Sequence, residues 1–153
     1  MVGAQNQDAT LNLEFMEQMK VIAGPMEVVC HRVFDQTPDP FEAMEQLIAL
    51  GYSRILSSGQ QPTAFEGRQL LASLIEKAGN RICIMPGSGI NESNVVELVR
   101  TTAATEIHFT AQKAIQSIVQ NNSTVDFLSD IETNTSHYET DLERILQIRN
   151  LLK

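Results

Sequence analysis

The sequence predicts an α/β fold built from parallel β–α repeats, on three observations. Short apolar runs rich in β-branched residues begin near positions 28, 54, 81 and 106. A segment with helical periodicity fills each interval between them. Strands joined in this way lie parallel, because a crossover helix is what returns the chain to the starting end of a sheet.

The elements follow in order. Leu13, Phe15, Met16, Met19 and Ile22 recur at mostly three- and four-residue intervals and Gly24-Pro25 stops the run, so the first element is a helix. Val28-Val29-Cys30-His31-Arg32-Val33-Phe34 is too short for a helix and too continuously apolar for a half-exposed strand, and it reads as a strand covered on both faces. The second helix takes Asp39 as N-cap, Pro40 at its first position and Glu42 three residues after the cap. Phe41, Met44, Leu47 and Ile48 line its buried side, and Gly51 ends it. Arg54-Ile55-Leu56-Ser57-Ser58 is the next strand; Thr63 and Glu66 then form a capping box for a helix lined by Leu70, Leu71, Leu74 and Ile75 and ended by Gly79. Arg81-Ile82-Cys83-Ile84-Met85 is the third strand, after which Pro86-Gly87-Ser88-Gly89 turns into a helix capped by Asn91 and carrying Val95, Val96, Leu98 and Val99. Glu106-Ile107-His108-Phe109-Thr110 is the fourth. Beyond it residues 111–140 read as a loop-rich segment, with room for a short helix from Ala111 to Val119, and residues 141–153 as a C-terminal helix capped by Thr140 or Asp141.

Residues 1–153, 42% apolar and 20% charged, have the balance of one globular domain. With six Phe, two Tyr and no Trp, the core rests on Ile, Leu, Val and Met. Eleven Lys and Arg against 19 Asp and Glu give a formal charge of −8, which repels nucleic-acid phosphates and anionic membranes alike, so neither is expected as a partner. No apolar stretch approaches the ~20 residues that cross a bilayer, and the N-terminus lacks the basic flank and apolar segment of a secretory signal. Cys30 and Cys83 lie inside apolar runs rather than in a disulfide framework, which points to the reducing cytoplasm.

Chemistry in parallel β–α folds gathers at the C-terminal ends of the strands. That selects His31, Arg32 and Asp35; Ser57, Ser58 and Gln60; Met85 with the Gly87-Ser88-Gly89 turn; and His108 with Thr110. His31 followed by Arg32 and then Asp35 supplies a metal ligand or acid–base group beside an anion clamp, the alternative being a hydrogen-bonded buried histidine. His108 occupies the equivalent position on another strand. Amides of the Gly87-Ser88-Gly89 turn, opening a helix, suit a phosphate or carboxylate. Cys30 and Cys83 are soft enough for Cu(I), against the reading of inert buried thiols. Asp35 and Glu66 are conceivable as an acid–base pair, although the capping box already explains Glu66.

His31-Arg32-Val33-Phe34-Asp35 followed by Pro38-Asp39-Pro40 resembles the CutC family of copper homeostasis proteins, whose strand reads close to "TFHRAFD" before a "DP" helix start. Leu50 to Gln60 is similar to that family's "LGFDRILTSGQ", Ala64-Phe65-Glu66-Gly67 to its "ALEG", Ile84 to Ile90 to its "IMPGGGI", and Thr105-Glu106-Ile107-His108 to its "TEIH". The resemblance covers roughly Gly24 to Thr110. It implies the second half of a (β/α)8 TIM barrel of about 250 residues, with Met1-Val2-Gly3-Ala4 as the end of the fourth strand and Asp8 to Asn12 resembling a "DGxID" loop. Ser88 stands for the family's middle glycine, Ser57 for a threonine, Cys30 for a phenylalanine, and Gln112 for an arginine whose loss weakens an anion site. Copper handling is the implied function, with copper as the bound ion and His31, His108, Cys30 and Cys83 as candidate ligands. The alternative is a barrel enzyme or its descendant that holds a small anionic or phosphorylated substrate with Arg32, Asp35, Ser58, Gln60, Gly87, Ser88 and Gly89.

Half a barrel exposes two sheet edges and a lumen face, expected to carry Val29, Val33, Ile55 and Ile84. Pairing of two copies would close both edges, so a homodimer or higher oligomer is expected.

Overall fold

The computed structural model describes residues 1–116 and 136–153. Its first part comprises helix α1 (Leu13–Ala23), strand β1 (Val29–Cys30), a 3-10 helix (Arg32–Gln36), α2 (Pro40–Ala49), β2 (Arg54–Ser57), α3 (Arg68–Ala78), β3 (Cys83–Pro86) and α4 (Val95–Thr102). Strands β1, β2 and β3 form one parallel sheet in chain order, with Cys30 opposite Ile55 and Ile55 opposite Ile84. Single parallel bridges continue it on both sides, from Val2 to Cys30 and from Gly87 to His108. The fold is therefore α/β with a parallel sheet, each strand beside its neighbour in sequence.

Several local signals operate as the sequence predicts. Asp39 accepts the Phe41 and Glu42 N–H groups at 2.9 and 3.0 Å and starts α2 at Pro40. Thr63 and Glu66 form their reciprocal bonds, Thr63 N–H to the Glu66 carboxylate at 3.0 Å and Glu66 N–H to Thr63 Oγ1 at 3.3 Å. The box closes a turn ahead of the helix, however, and α3 begins only at Arg68. Asn91 likewise caps a turn by accepting the Ser93 N–H, and α4 begins at Val95 rather than directly after the glycine turn.

Three expectations are corrected. The run from Val28 to Phe34 is a strand only over Val29–Cys30, because His31 Nδ1 accepts the Val33 N–H at 3.1 Å and caps a 3-10 helix in its place. Glu106 to Thr110 pairs with the sheet only at His108, whose N–H donates to Pro86 O at 2.8 Å. Ile55 and Ile84 are not on an open face: with Cys30 they form the side of the sheet packed in one core with Met44, Leu47, Leu71, Leu74, Val95 and Leu98. Strand alternation puts Val29, Leu56 and Met85 on the opposite side.

Within the segment read as loop-rich, β4 (Gln112–Gln116) and β5 (Ser136–Thr140) pair antiparallel, so no helix occupies 112–116; residues 117–135 lie outside the described ones. Helix α5 (Leu142–Leu151) follows, capped by Asp141, which accepts the Glu143 N–H at 2.8 Å. Arg144 joins α5 to the glycine-turn region through Glu92, at 2.7 and 3.0 Å. No described helix is long and apolar enough to cross a membrane.

The loop after β2 is closed at its neck by two glycines. A Cβ on Gly67 would lie 2.0 Å from Ser58 O and 2.8 Å from Gly59 Cα, both backbone atoms that cannot swing aside. Gly67→Ala should therefore destabilise the protein by about 3 kcal/mol, whereas Gly79→Ala, at a left-handed φ of 57° but in open space, should cost about 1 kcal/mol. Denaturant midpoints of the two variants check the ranking.

Candidate functional site

The C-terminal ends of β1 and β2 are joined by one carboxylate. Asp35, in the 3-10 helix, accepts Ser57 Oγ–H at 2.6 Å, Ser58 N–H at 3.0 Å, Gln60 N–H at 3.3 Å and Arg32 Nε–H at 2.8 Å, and Ser58 Oγ, at 3.0 Å, shares its one proton between Asp35 and Gln61 O. Its side chain is only 8% exposed. Burial alone would raise its pKa, but the bonds from Ser57, Arg32 and Ser58 outweigh burial and hold the carboxyl below its ordinary value. A carboxylate with this many donors has no oxygen left for moving a substrate proton, so Asp35 organises the site rather than acting as an acid or base.

Arg32 is held in turn. Its Nε goes to Asp35 and its Nη2 donates to Ser58 Oγ at 2.7 Å, while Nη1 has no partner among the described residues and the side chain stays 41% exposed. Gln60, at a left-handed φ of 57°, donates its amide to Thr37 O at 2.6 Å. These residues border a cleft of about 550 Å³ lined by His31, Arg32, Val33, Asp35, Gln36, Gln60 and Gln61. His31 accepts the Val33 N–H on Nδ1, so its ring proton sits on Nε2.

The glycine turn is separate from this cleft. Ser88 has a φ of 95°, a conformation suited to glycine, and its hydroxyl donates to Pro62 O at 2.9 Å while its carbonyl accepts the Ala64 N–H at 3.0 Å. The turn thereby pins the far side of the β2–α3 loop. Gly87 N–H bonds Ser57 O of β2, and just beyond the turn Asn91 N–H bonds Asn94 Oδ1. Ser57, Ser58, Gly87, Ser88 and Gly89 thus act on the loop that frames the cleft.

The four candidate metal ligands are not brought together. Cys30 is fully buried on the helix side of the sheet, and burial, then the charge of Asp35, pushes its pKa up to about 12, so it is a thiol at neutral pH. Cys83 stands at the opposite, N-terminal end of the strands, level with Arg54, which binds Glu106 at 2.7 Å and also Glu27. Burial and Glu106 raise its pKa as well. His31 and His108 share the C-terminal end but are three strand spacings apart, roughly 14 Å along the sheet. No group of three His, Cys, Asp or Glu able to hold a metal exists among the described residues.

Sequence reasoning selected Asp35, Arg32, Ser58 and Gln60 but missed their dependence on Ser57, whose hydroxyl donates to Asp35 and accepts the Gly59 N–H at 2.9 Å. The adjacent pair Ser57-Ser58 at the end of an apolar strand was the available signal.

Such a fold and site define an α/β protein with a parallel sheet and a polar cleft at its strand ends. The CutC family model matches residues 1–113, and the chain belongs to that family. It is 38% identical over 152 residues to a CutC family protein of Histophilus somni, covering 99% of this chain and 63% of the relative. It is 34% identical to the human copper homeostasis protein cutC homolog, covering 97% and 54%. The crystal structure of the putative copper homeostasis protein CutC from Streptococcus agalactiae matches with a TM-score of 0.66 at 30% identity, over 70% of this chain and 53% of that one. The chain thus spans about three fifths or less of the length of these proteins.

Asp35→Asn should cost about 3 kcal/mol by leaving donors facing a neutral amide. Because the folded pKa is lowered, the carboxylate's contribution is complete above about pH 4 and fades as pH falls through the folded value. Denaturation curves from pH 3 to 7 should show this acid limb reduced in the variant.

Proposed function

We propose that this chain serves copper homeostasis as a CutC-type protein, its β–α units forming the later part of a (β/α)8 barrel that works at the C-terminal strand ends. The family match over residues 1–113 carries this reading, and the parallel sheet in chain order supports it. Copper is the cargo the relatives' names suggest. As a donor set for one ion, His31, His108, Cys30 and Cys83 do not fit: two are raised-pKa thiols, one of them at the wrong end of the sheet, and the histidines are apart. Copper capture at this face therefore takes His31 or His108 singly and completes its coordination with donors from elsewhere.

A second copy of the chain is the source we favour. The sheet face away from the helices carries Val29 and Met85 half-buried beside Leu56, and cover from another protomer would bury this apolar surface in a homo-oligomer. Both cysteines are free, which supports a cytoplasmic setting. A second reading, an anionic-substrate site, is favoured by the unpaired edge of Arg32.

Anaerobic Cu(I) titration tests the assignment. His31→Ala should weaken copper binding at least several-fold, while Cys30→Ser should leave it unchanged and lower stability by about 1–3 kcal/mol through a hydroxyl placed in the core. Loss of copper affinity in a fully stable Cys30→Ser protein would overturn it. Sedimentation at micromolar concentration should give a species heavier than the 17.0 kDa monomer, and a folded monomer would remove the second-copy argument.

A further inference from the structure

Arginine presents two edges to an oxyanion, one made by Nε and one Nη, the other by the two Nη groups. In Arg32 the first edge is filled: Nε bonds Asp35 at 2.8 Å and Nη2 bonds Ser58 Oγ at 2.7 Å. The Nη1–Nη2 edge keeps unused protons, and Arg32 lines the cleft of about 550 Å³, a size that takes a small molecule. Asp35 does not repel an incoming anion strongly, because its oxygens are covered by the Ser57, Ser58, Gln60 and Arg32 donors. His31 borders the same cleft, and with Nδ1 occupied by the Val33 N–H it offers Nε2–H as a second donor. An arginine immobilised on one side costs little entropy to engage on the other.

We propose that this cleft binds the carboxylate of a small polar molecule, gripped in two-point fashion by the Nη1–Nη2 edge of Arg32 and assisted by His31 Nε2–H. The charge count selects the ligand class. Arg32 is already balanced by Asp35 and the chain as a whole carries −8, so a singly charged, planar carboxylate suits the cleft better than a dianionic phosphate. The glutamine side chains at the rim, Gln36 and Gln61, match a polar ligand body. This inference does not depend on copper binding.

The experiment titrates the 153-residue chain with lactate, a singly charged carboxylate, and with inorganic phosphate at constant ionic strength, following amide NMR shifts and heats of binding. Lactate should bind saturably and more tightly than phosphate. Arg32→Lys, which keeps the charge but loses the two-point edge, should weaken lactate about tenfold. His31→Asn, which can still cap the 3-10 helix, should weaken it roughly threefold and keeps the test open should the Arg32 variant not fold. Absence of saturable lactate binding, tighter binding of phosphate, or unchanged lactate affinity in folded Arg32→Lys or His31→Asn protein would overturn the proposal.

Discussion

A buried carboxylate must find donors or give up its charge, and at Asp35 that requirement shapes everything at the working end of the sheet. Its donors come from its own 3-10 helix, from the last residue of β2 and from the loop beyond. Satisfying one charge therefore fixes the 3-10 helix against the loop, aims Arg32 and closes one wall of the cleft. The loop is immobilised from three further sides, by the Gly59–Gly67 neck, by Ser88 at Pro62 and Ala64, and by Gln60 at Thr37. The site is rigid because its polar groups are spent on one another, and the outer edge of Arg32 and the His31 ring are left beside the cleft with the rim glutamines Gln36 and Gln61.

What the sequence revealed was local. The Asp39 cap, the Pro40 start and the Thr63–Glu66 box each depend on residues within three positions, and each forms. The failures came where a local preference met a competing one. Val28 to Phe34 has strand composition throughout, but the His31 imidazole offers the backbone a cap and the chain turns after Cys30. Which side of the sheet Ile55 and Ile84 take depends on register, and a one-residue difference in register reverses the answer. The role of Asp35 was out of reach for another reason: its partners in β2 and the loop stand 22 to 25 positions away, and no periodicity records a side-chain bond of that span.

The site also separates two chemistries that composition alone leaves mixed. Soft sulfur donors lie in the helix-side core or at the far end of the strands, both with pKa values pushed away from the thiolate. Hydrogen-bond donors of hard character, from Arg32 and His31, collect at the cleft. His31 Nε2 is the one atom common to both proposed uses, because Nδ1 is taken by the Val33 N–H, so a metal bound there and a carboxylate held by its N–H would compete.

The order of the sheet carries a consequence for biosynthesis. Each described strand of the parallel sheet pairs with the one made just before it, with partners 25 and 29 residues apart. Loop closure over such short spans is cheap and fast. The sheet can grow as the polypeptide leaves the ribosome, one β–α unit docking on the last, and the Asp35 network would lock as soon as Gln60 has emerged.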